Sequence, residues 1–223
     1  MQRAIPGFFA LLLAVLTGCQ SPPFAYPAPP ARLSSAGPSI VIMPLTDART
    51  NLDMDKVLAK GYLTNVQNAI GSELQSMNYF RSVIVLTNTA TIPPADLQLW
   101  PTLERLEWEI PNYQELEEKA FAIALLTGGV GGAIYASTGI DVYGHSTLDV
   151  VVNQTTNAIP VFNCVYTDTV TNRLKKAVCD TPKTQASMMV HAFQKTMLEV
   201  KADVQKHLSP PAEPQVPVIS EQK

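Results

Sequence analysis

The fold of this chain is decided by one stretch near its centre, Ser146-Thr-Leu-Asp-Val-Val-Val-Asn-Gln-Thr-Thr-Asn-Ala-Ile-Pro-Val-Phe-Asn-Cys-Val-Tyr-Thr167. Apolar side chains alternate with polar ones in both halves of it. Three apolar side chains share one face of each run: Leu148, Val150 and Val152 in the first, and Phe162, Cys164 and Tyr166 in the second. The residues Gln154 to Ala158 join the runs at a typical hairpin length. The pattern therefore predicts an antiparallel hairpin made of the strands 146–153 and 159–167.

Outward from the hairpin, the patterning predicts two long helices and three more strands. The strands are Ile40 to Leu45, Phe80 to Leu86, and one within Asp96 to Trp108. The first helix is capped by Asp53, has apolar positions Val57, Val66, Ile70, Leu74 and Met77, and ends at a left-handed Asn78. The second begins at Thr181-Pro182, ends near Leu208, and has the apolar stripe Met189, Phe193, Met197, Val200 and Val204. This order predicts an α+β domain, a small mixed sheet with two long helices packed on it.

Composition narrows the class of protein. The 223 residues are 46% hydrophobic and 16% charged, with a formal net charge of −3. These values are typical of a globular domain, and the absence of a Lys and Arg surplus excludes a strongly basic nucleic-acid binder. We expect no nucleic-acid partner, and we place a single domain at residues 40–208.

The first residues direct the chain to an export pathway. Residues 1–18 form an apolar signal peptide, too short for the roughly 20 apolar residues of a permanent membrane span. Its end, Leu16-Thr17-Gly18-Cys19, resembles the lipobox of bacterial lipoproteins. The resemblance implies cleavage before Cys19 and lipidation of its thiol, and Gln20 in place of Asp implies the periplasmic face of the outer membrane. The alternative is a plain secretory signal with an incidental cysteine.

Two proline-rich segments flank the domain. Residues 19–39 hold six prolines and almost no charge, which favours an extended tether of up to about 60 Å. Residues 209–223 repeat this composition and are expected to be a disordered tail.

The domain resembles the TolB amino-terminal-like family. The resemblance is carried by Asp47-Ala48-Arg49-Thr50-Asn51, by Asn78-Tyr79-Phe80-Arg81, by Ala95-Asp96-Leu97-Gln98-Leu99, and by the hairpin followed by a carboxy-terminal helix. The family includes the curli-secretion lipoprotein, an exopolysaccharide-export lipoprotein and the lipoprotein activator of a penicillin-binding protein. It implies a protein that is not an enzyme and that acts by binding envelope partners.

An insertion between Trp108 and His145 departs from that family. Residues 120–140 carry no charge, and Gly128, Gly132 and Ala136 recur at four-residue spacing, as do Gly129, Ala133 and Ser137. Small residues at this spacing let helices approach closely in a membrane. Three interpretations stay open. The segment is a transmembrane or membrane-dipping helix, a membrane-facing hairpin used in oligomerisation or pore lining, or a buried helix up to Leu126 followed by a flexible glycine loop. The first two make Gly128, Gly129, Gly132 and Ala136 a membrane or oligomer interface.

The remaining cysteines are Cys164 and Cys179. In an oxidising compartment we expect them to form a structural disulfide that closes a loop of about 15 residues and stabilises the fold by about 3 kcal/mol. The alternative is two free thiols.

The sequence offers no catalytic site. His145, His191 and His207 are isolated, no metal-ligand spacing occurs, and the acidic residues around Glu107 and Glu115 read as a solvated face. Trp100 and Trp108 are either partner anchors or residues packed in the core or at its rim. We expect no catalytic residue, no metal, and no cofactor apart from the covalent lipid on Cys19.

Two hypotheses of function follow. The first is an outer-membrane lipoprotein that acts as a non-enzymatic periplasmic scaffold or assembly component of an envelope secretion or transport system, oligomeric through residues 120–140. The second is a monomeric lipoprotein that regulates an envelope enzyme such as a peptidoglycan synthase. Both predict a membrane partner through the lipid and an envelope protein partner or self-association.

Overall fold

The computed structural model describes residues 23–51, 57–127, 131, 138–156, 160–175, 178 and 181–208. Within these residues it contains one mixed sheet of six strands and three helices. The strands are β1 Ser39–Ile42, β2 Thr46–Asp47, β3 Ser82–Val85, β4 Leu97–Glu109, β5 Gly139–Gln154 and β6 Pro160–Lys175. The helices are α1 Tyr62–Gln75, α2 Tyr113–Leu126 and α3 Pro182–Leu208. The prediction of an α+β fold with a mixed sheet is confirmed.

The sheet joins a parallel half to an antiparallel half. Its order is β3-β1-β4-β5-β6, and β2 pairs with β4 beyond the end of β1. β1 runs parallel to both of its neighbours, since the crossover through α1 brings β3 back in the same direction. β4, β5 and β6 form an antiparallel meander.

The main core lies between one face of this sheet and the helices α1 and α3. In the predicted hairpin, Leu148 pairs with Tyr166, Val150 with Cys164, and Val152 with Phe162. All of these side chains are buried except the half-buried Cys164, so the predicted shared faces are confirmed. The predicted α3 stripe is also confirmed, because all five of its members are fully buried: Met189, Phe193, Met197, Val200 and Val204.

One close contact between β5 and α3 requires glycine. A Cβ atom added to Gly144 would lie 2.3 Å from the carbonyl oxygen of Met188. The backbone of β5 therefore touches the backbone of α3 at this point, which fixes the depth at which the helix seats on the sheet.

The boundaries of several elements differ from the prediction. The strand predicted at 40–45 ends at Ile42, and the separate strand β2 follows Pro44, which has no N–H to donate to β4. The described part of the first helix begins at Tyr62 after Gly61, whose φ is +84°, while Asp53 lies outside the described residues. Asn78 has a φ of +54°, the left-handed conformation predicted for it, but α1 ends at Gln75, before the predicted helical position Met77. The hairpin strands reach 16 residues each, longer than predicted.

Candidate functional surfaces

The proline-rich segment before β1 is folded onto the domain, which corrects the prediction of a free tether for its described part. We name residues 23–38 the strap. Phe24 of the strap is only 2% exposed, and its ring meets Phe193 of α3 edge-on with centroids 5.8 Å apart. Tyr26 lies beside it, 5.8 Å from the same ring. Two aromatic side chains among the prolines bury enough apolar surface to dock the segment.

Hydrogen bonds continue this docking along the strap. The N–H of Arg32 donates to the carbonyl oxygen of Gln75 at the end of α1, at 2.7 Å. The N–H of Ser34 donates to the carbonyl oxygen of Phe80, at 2.8 Å. The strap therefore runs beside α1 toward the start of β1 and belongs to the folded domain.

A buried carboxylate ties the strap to both helices. Glu73 of α1 accepts a hydrogen bond from the Tyr26 hydroxyl at 2.5 Å and forms an ion pair with Lys201 of α3. Burial, with the neighbouring Glu73 carboxylate, raises the pKa of the Tyr26 phenol above its ordinary value. The phenol therefore stays a donor throughout the physiological range.

Helix α2 stands apart from the core. None of its residues is buried, and Phe121, Leu125 and Leu126 are 68%, 69% and 86% exposed. Its first turns contact a small cluster around Ile110, Val142 and Met188 through Tyr113 and Leu116. The third interpretation, a buried helix up to Leu126, is right about where the helix ends. It is wrong about burial, since no residue of α2 is buried.

The rest of the insertion is described only in part. Gly128, Gly129, Gly132 and Ala136, the predicted membrane or oligomer interface, lie outside the described residues. In the described part of the chain, no helix combines the length and the apolar character needed to cross a bilayer.

The face of the sheet that points away from α1 and α3 is open at β4 and β6, whereas Val41 of β1 is fully buried. Trp100 of β4 is 39% exposed on this face, and Val165 of β6 is 53% exposed. On β5, Val151 pairs with Trp100, and Asp149 pairs with Val165. Trp108, in contrast, is half-buried and packs against both hydrophobic clusters, so Trp100 is the more accessible of the two tryptophans.

The polar segment Asp47-Ala48-Arg49, at the end of β2, has a structural role that the sequence did not predict. Asp47 accepts two hydrogen bonds of 2.7 Å from the guanidinium of Arg49, whose side chain is almost fully buried. Arg49 also lies over the ring of Tyr62 at 5.3 Å, at the start of α1. Hydrogen bonds from Arg49 lower the pKa of the Asp47 carboxyl. The two-residue spacing of opposite charges in Asp47-Ala48-Arg49 was the available signal.

The histidines are placed apart, as predicted. The His145 ring lies 3.0 Å from Thr169 Oγ1 and 3.3 Å from Glu109 Oε2, while His191 is exposed. His207 tilts over Phe162, with ring centroids 5.5 Å apart. Among the described residues, no three His, Cys, Asp or Glu side chains come together as a metal site.

A cleft of about 560 Å³ lies at the end of the sheet where α3 finishes. Asp96 and His207 both line it. The Asp96 carboxylate already accepts hydrogen bonds from the N–H and hydroxyl of Ser39, at 2.7 and 2.8 Å, and pairs with Arg81 at 3.0 Å. These hydrogen bonds lower the pKa of Asp96, so this carboxylate serves as an anchor for β1.

The structure gives no support to the expected disulfide. Cys164 is a free, half-buried thiol within the described chain, and its sulfur is 4.0 Å from the carbonyl oxygen of Val165. Cys179 and the lipidation site Cys19 lie outside the described residues.

Comparison with known proteins gives structural likeness alone. No family model matches the chain, and no curated protein matches it by sequence. A neuraminyllactose-binding hemagglutinin homolog from Helicobacter pylori is 14% identical, with a TM-score of 0.48 over 82% of this chain and 92% of that one. A Xanthomonas campestris protein of the family DUF330 is 9% identical, with a TM-score of 0.42 over 81% and 92%. The PelC dodecamer from Paraburkholderia phytofirmans is 9% identical, with a TM-score of 0.33 over 74% of this chain and 92% of that one. At these values the likenesses carry no conclusion about function, and the TolB-like resemblance stays a prediction.

Proposed function

We propose that this protein is a lipid-anchored, non-enzymatic scaffold of the bacterial cell envelope that self-associates through α2. The observation that carries the proposal is the exposure of Phe121, Leu125 and Leu126 on a helix that buries none of its residues. Burying one side chain of this size contributes about 1.5–3 kcal/mol of favourable free energy. Three such side chains exposed together therefore indicate a protein-binding surface.

A second copy of the chain is the partner that this surface fits best. The small residues Gly128, Gly132 and Ala136 follow α2 at four-residue spacing, which is typical of closely packed helix pairs. The exposed apolar end of α2 can pack against the same end of a second copy without a further protein. The predicted lipid on Cys19 would bring the copies together on one membrane, which raises their effective concentration.

The native mass of the acylated protein in mild detergent tests this proposal. We expect a discrete oligomer by light scattering for the wild type, and a monomer for the double variant Phe121→Ser, Leu125→Ser. Leu198→Ser is the matched control, because Leu198 of α3 is 61% exposed and lies outside α2. An oligomer that survives the double variant would contradict α2 as the interface, and Gly132→Leu would then test the remainder of the insertion.

A second candidate function is a monomeric regulator of an envelope enzyme such as a peptidoglycan synthase. The accessible ring of Trp100 on the open sheet face favours it, since aromatic side chains are common anchors at interfaces. A monomeric wild type would support this candidate. Crosslinking in cells from position 100, with position 198 as control, would then identify the enzyme.

Membrane attachment is tested separately from association. We expect Cys19→Ser to move the protein from the membrane fraction to the soluble periplasmic fraction. Lipid on the wild-type protein would be detected as an increase in intact mass over the cleaved polypeptide. An unchanged mass would contradict the lipidation of Cys19.

A further inference from the structure

We propose that the strap holds the domain directly against the bilayer, with the α1 and α3 side toward the lipid and the open sheet face turned away. This inference rests on the lipidation of Cys19 in the proposed function and adds an orientation and a distance to it. The partner of the α1 and α3 surface is the phospholipid headgroup layer.

The amino-terminal end of the strap is held against α1 and α3. Phe24 is buried against Phe193, and Pro23 to Tyr26 lie beside Asn65, Asn68 and Ser72 on α1. Tyr26 is bonded to Glu73 in the same groove. The chain therefore enters the folded domain over the helices, on the side opposite the open sheet face.

Only a short length of chain connects Cys19 to the docked Phe24. Five peptide units separate Cys19 from Phe24, and a fully extended chain spans at most about 3.6 Å for each, or about 18 Å. The free tether predicted from composition would have reached about 60 Å. With Phe24 docked, the lipid on Cys19 can lie only a short distance from the groove between α1 and α3.

The thickness of the domain separates the open sheet face from the helical side. A helix with its side chains is about 10 Å across, and the sheet lies beneath the helices. Trp100 and Val165 are on the far side of both layers, and they therefore face the periplasm. The surface that offers an accessible tryptophan is kept clear of the lipid, while the helical side is held next to it.

The experiment places a fluorophore on each side of the acylated, full-length protein. The protein is reconstituted in vesicles of phosphatidylethanolamine and phosphatidylglycerol that carry a headgroup quencher. Cys164 and Cys179 are replaced by Ser, and single cysteines are introduced as Asn65→Cys or Val165→Cys. We expect the label at position 65 to be quenched several-fold more strongly than the label at position 165.

Two further variants separate the strap from the anchor. A flexible Gly-Ser insertion after Ser21 lengthens the link and leaves every described residue of the strap unchanged, and we expect it to remove the difference in quenching. Phe24→Ser is expected to do the same by releasing the strap. Leu33→Ser is the control, because Leu33 lies in the strap but is 51% exposed, and it should leave the difference unchanged.

The outcomes distinguish the two proposals. A protein that fails to float with the vesicles would contradict the lipid anchor and hence the proposed function. A protein that floats with equal quenching at both positions would overturn the orientation alone. A difference that persists after the Gly-Ser insertion would also overturn it, because the strap would then not be its cause.

Discussion

Phe24 and Phe193 are separated by most of the chain, yet their rings meet edge-on with centroids 5.8 Å apart. This contact joins a proline-rich amino-terminal segment to the middle of the last helix. It makes the strap part of the domain core, and Phe24 follows the predicted lipidation site Cys19 by five residues in the sequence.

We expect Phe24→Ala to lower the free energy of unfolding by about 3 kcal/mol, because a fully buried aromatic ring is lost and a cavity remains. Urea denaturation followed by circular dichroism measures the change. Leu33→Ala in the same strap should cost less than about 0.5 kcal/mol, since its side chain is half in water. Equal effects of the two substitutions would contradict the docking of the strap through Phe24.

The stability of the protein should fall as the pH rises above 10. Burial and the Glu73 carboxylate raise the pKa of Tyr26 in the folded protein above its ordinary value of 10.0. Above that pH the unfolded chain releases the phenolic proton while the folded chain keeps it, so fewer protons are bound in the unfolded state and unfolding is favoured. Below pH 10 both states hold the proton and this contribution is constant.

Thermal unfolding of the wild type and of Tyr26→Phe between pH 8 and 11 measures this effect. The variant should lose less stability across the alkaline range than the wild type, because its ring has no proton to release. Tyr166, whose pKa is also raised by burial and by Asp203, should account for part of the remaining slope. Identical slopes for the wild type and Tyr26→Phe would rule out the assigned role of Tyr26.

We expect Gly144→Ala to destabilise the protein by about 1–3 kcal/mol, because the added methyl would collide with the backbone of α3 at Met188. Gly139→Ala on the same strand is the matched control. Its methyl would meet only the flexible side chain of Arg173, which can move away at little cost. A shift of the melting temperature for the first variant and not for the second is the expected result, and the reverse order would be evidence against the close seating of α3.

We expect Arg49→Lys to lower the free energy of unfolding by about 2 kcal/mol, although the substitution keeps the positive charge. Lysine cannot reproduce the two parallel hydrogen bonds to Asp47 or the planar contact over Tyr62. Arg105→Lys provides the comparison, since the Arg105–Glu107 pair is partly exposed and such pairs contribute about 0–1 kcal/mol. Chemical denaturation of both variants checks the difference, and a cost for Arg105→Lys as large as that for Arg49→Lys would show that burial is not decisive.

Prediction from sequence succeeded where the signal was local. The inward faces of the central hairpin and the stripe of α3 follow from side-chain periods of two and of about four residues, and both are confirmed at named positions such as Val150 and Phe193. The left-handed Asn78 was predicted on similar local grounds. Prediction failed at Phe24, because the proline-rich composition around it pointed to an unfolded tether, and the groove that receives its ring is made by residues far away in the chain.

The sequence by itself determined the faces that the hairpin and α3 bury, because side-chain periodicity is set by neighbouring residues. It also predicts an export signal and a lipidation site at Cys19. The tertiary structure decided that the strap is docked, that Arg49 is buried, and that α2 exposes Phe121, Leu125 and Leu126. These outcomes depend on which surfaces are left free once α1 and α3 cover one face of the sheet. Burial is a property of the assembled core, and no short stretch of the chain contains it.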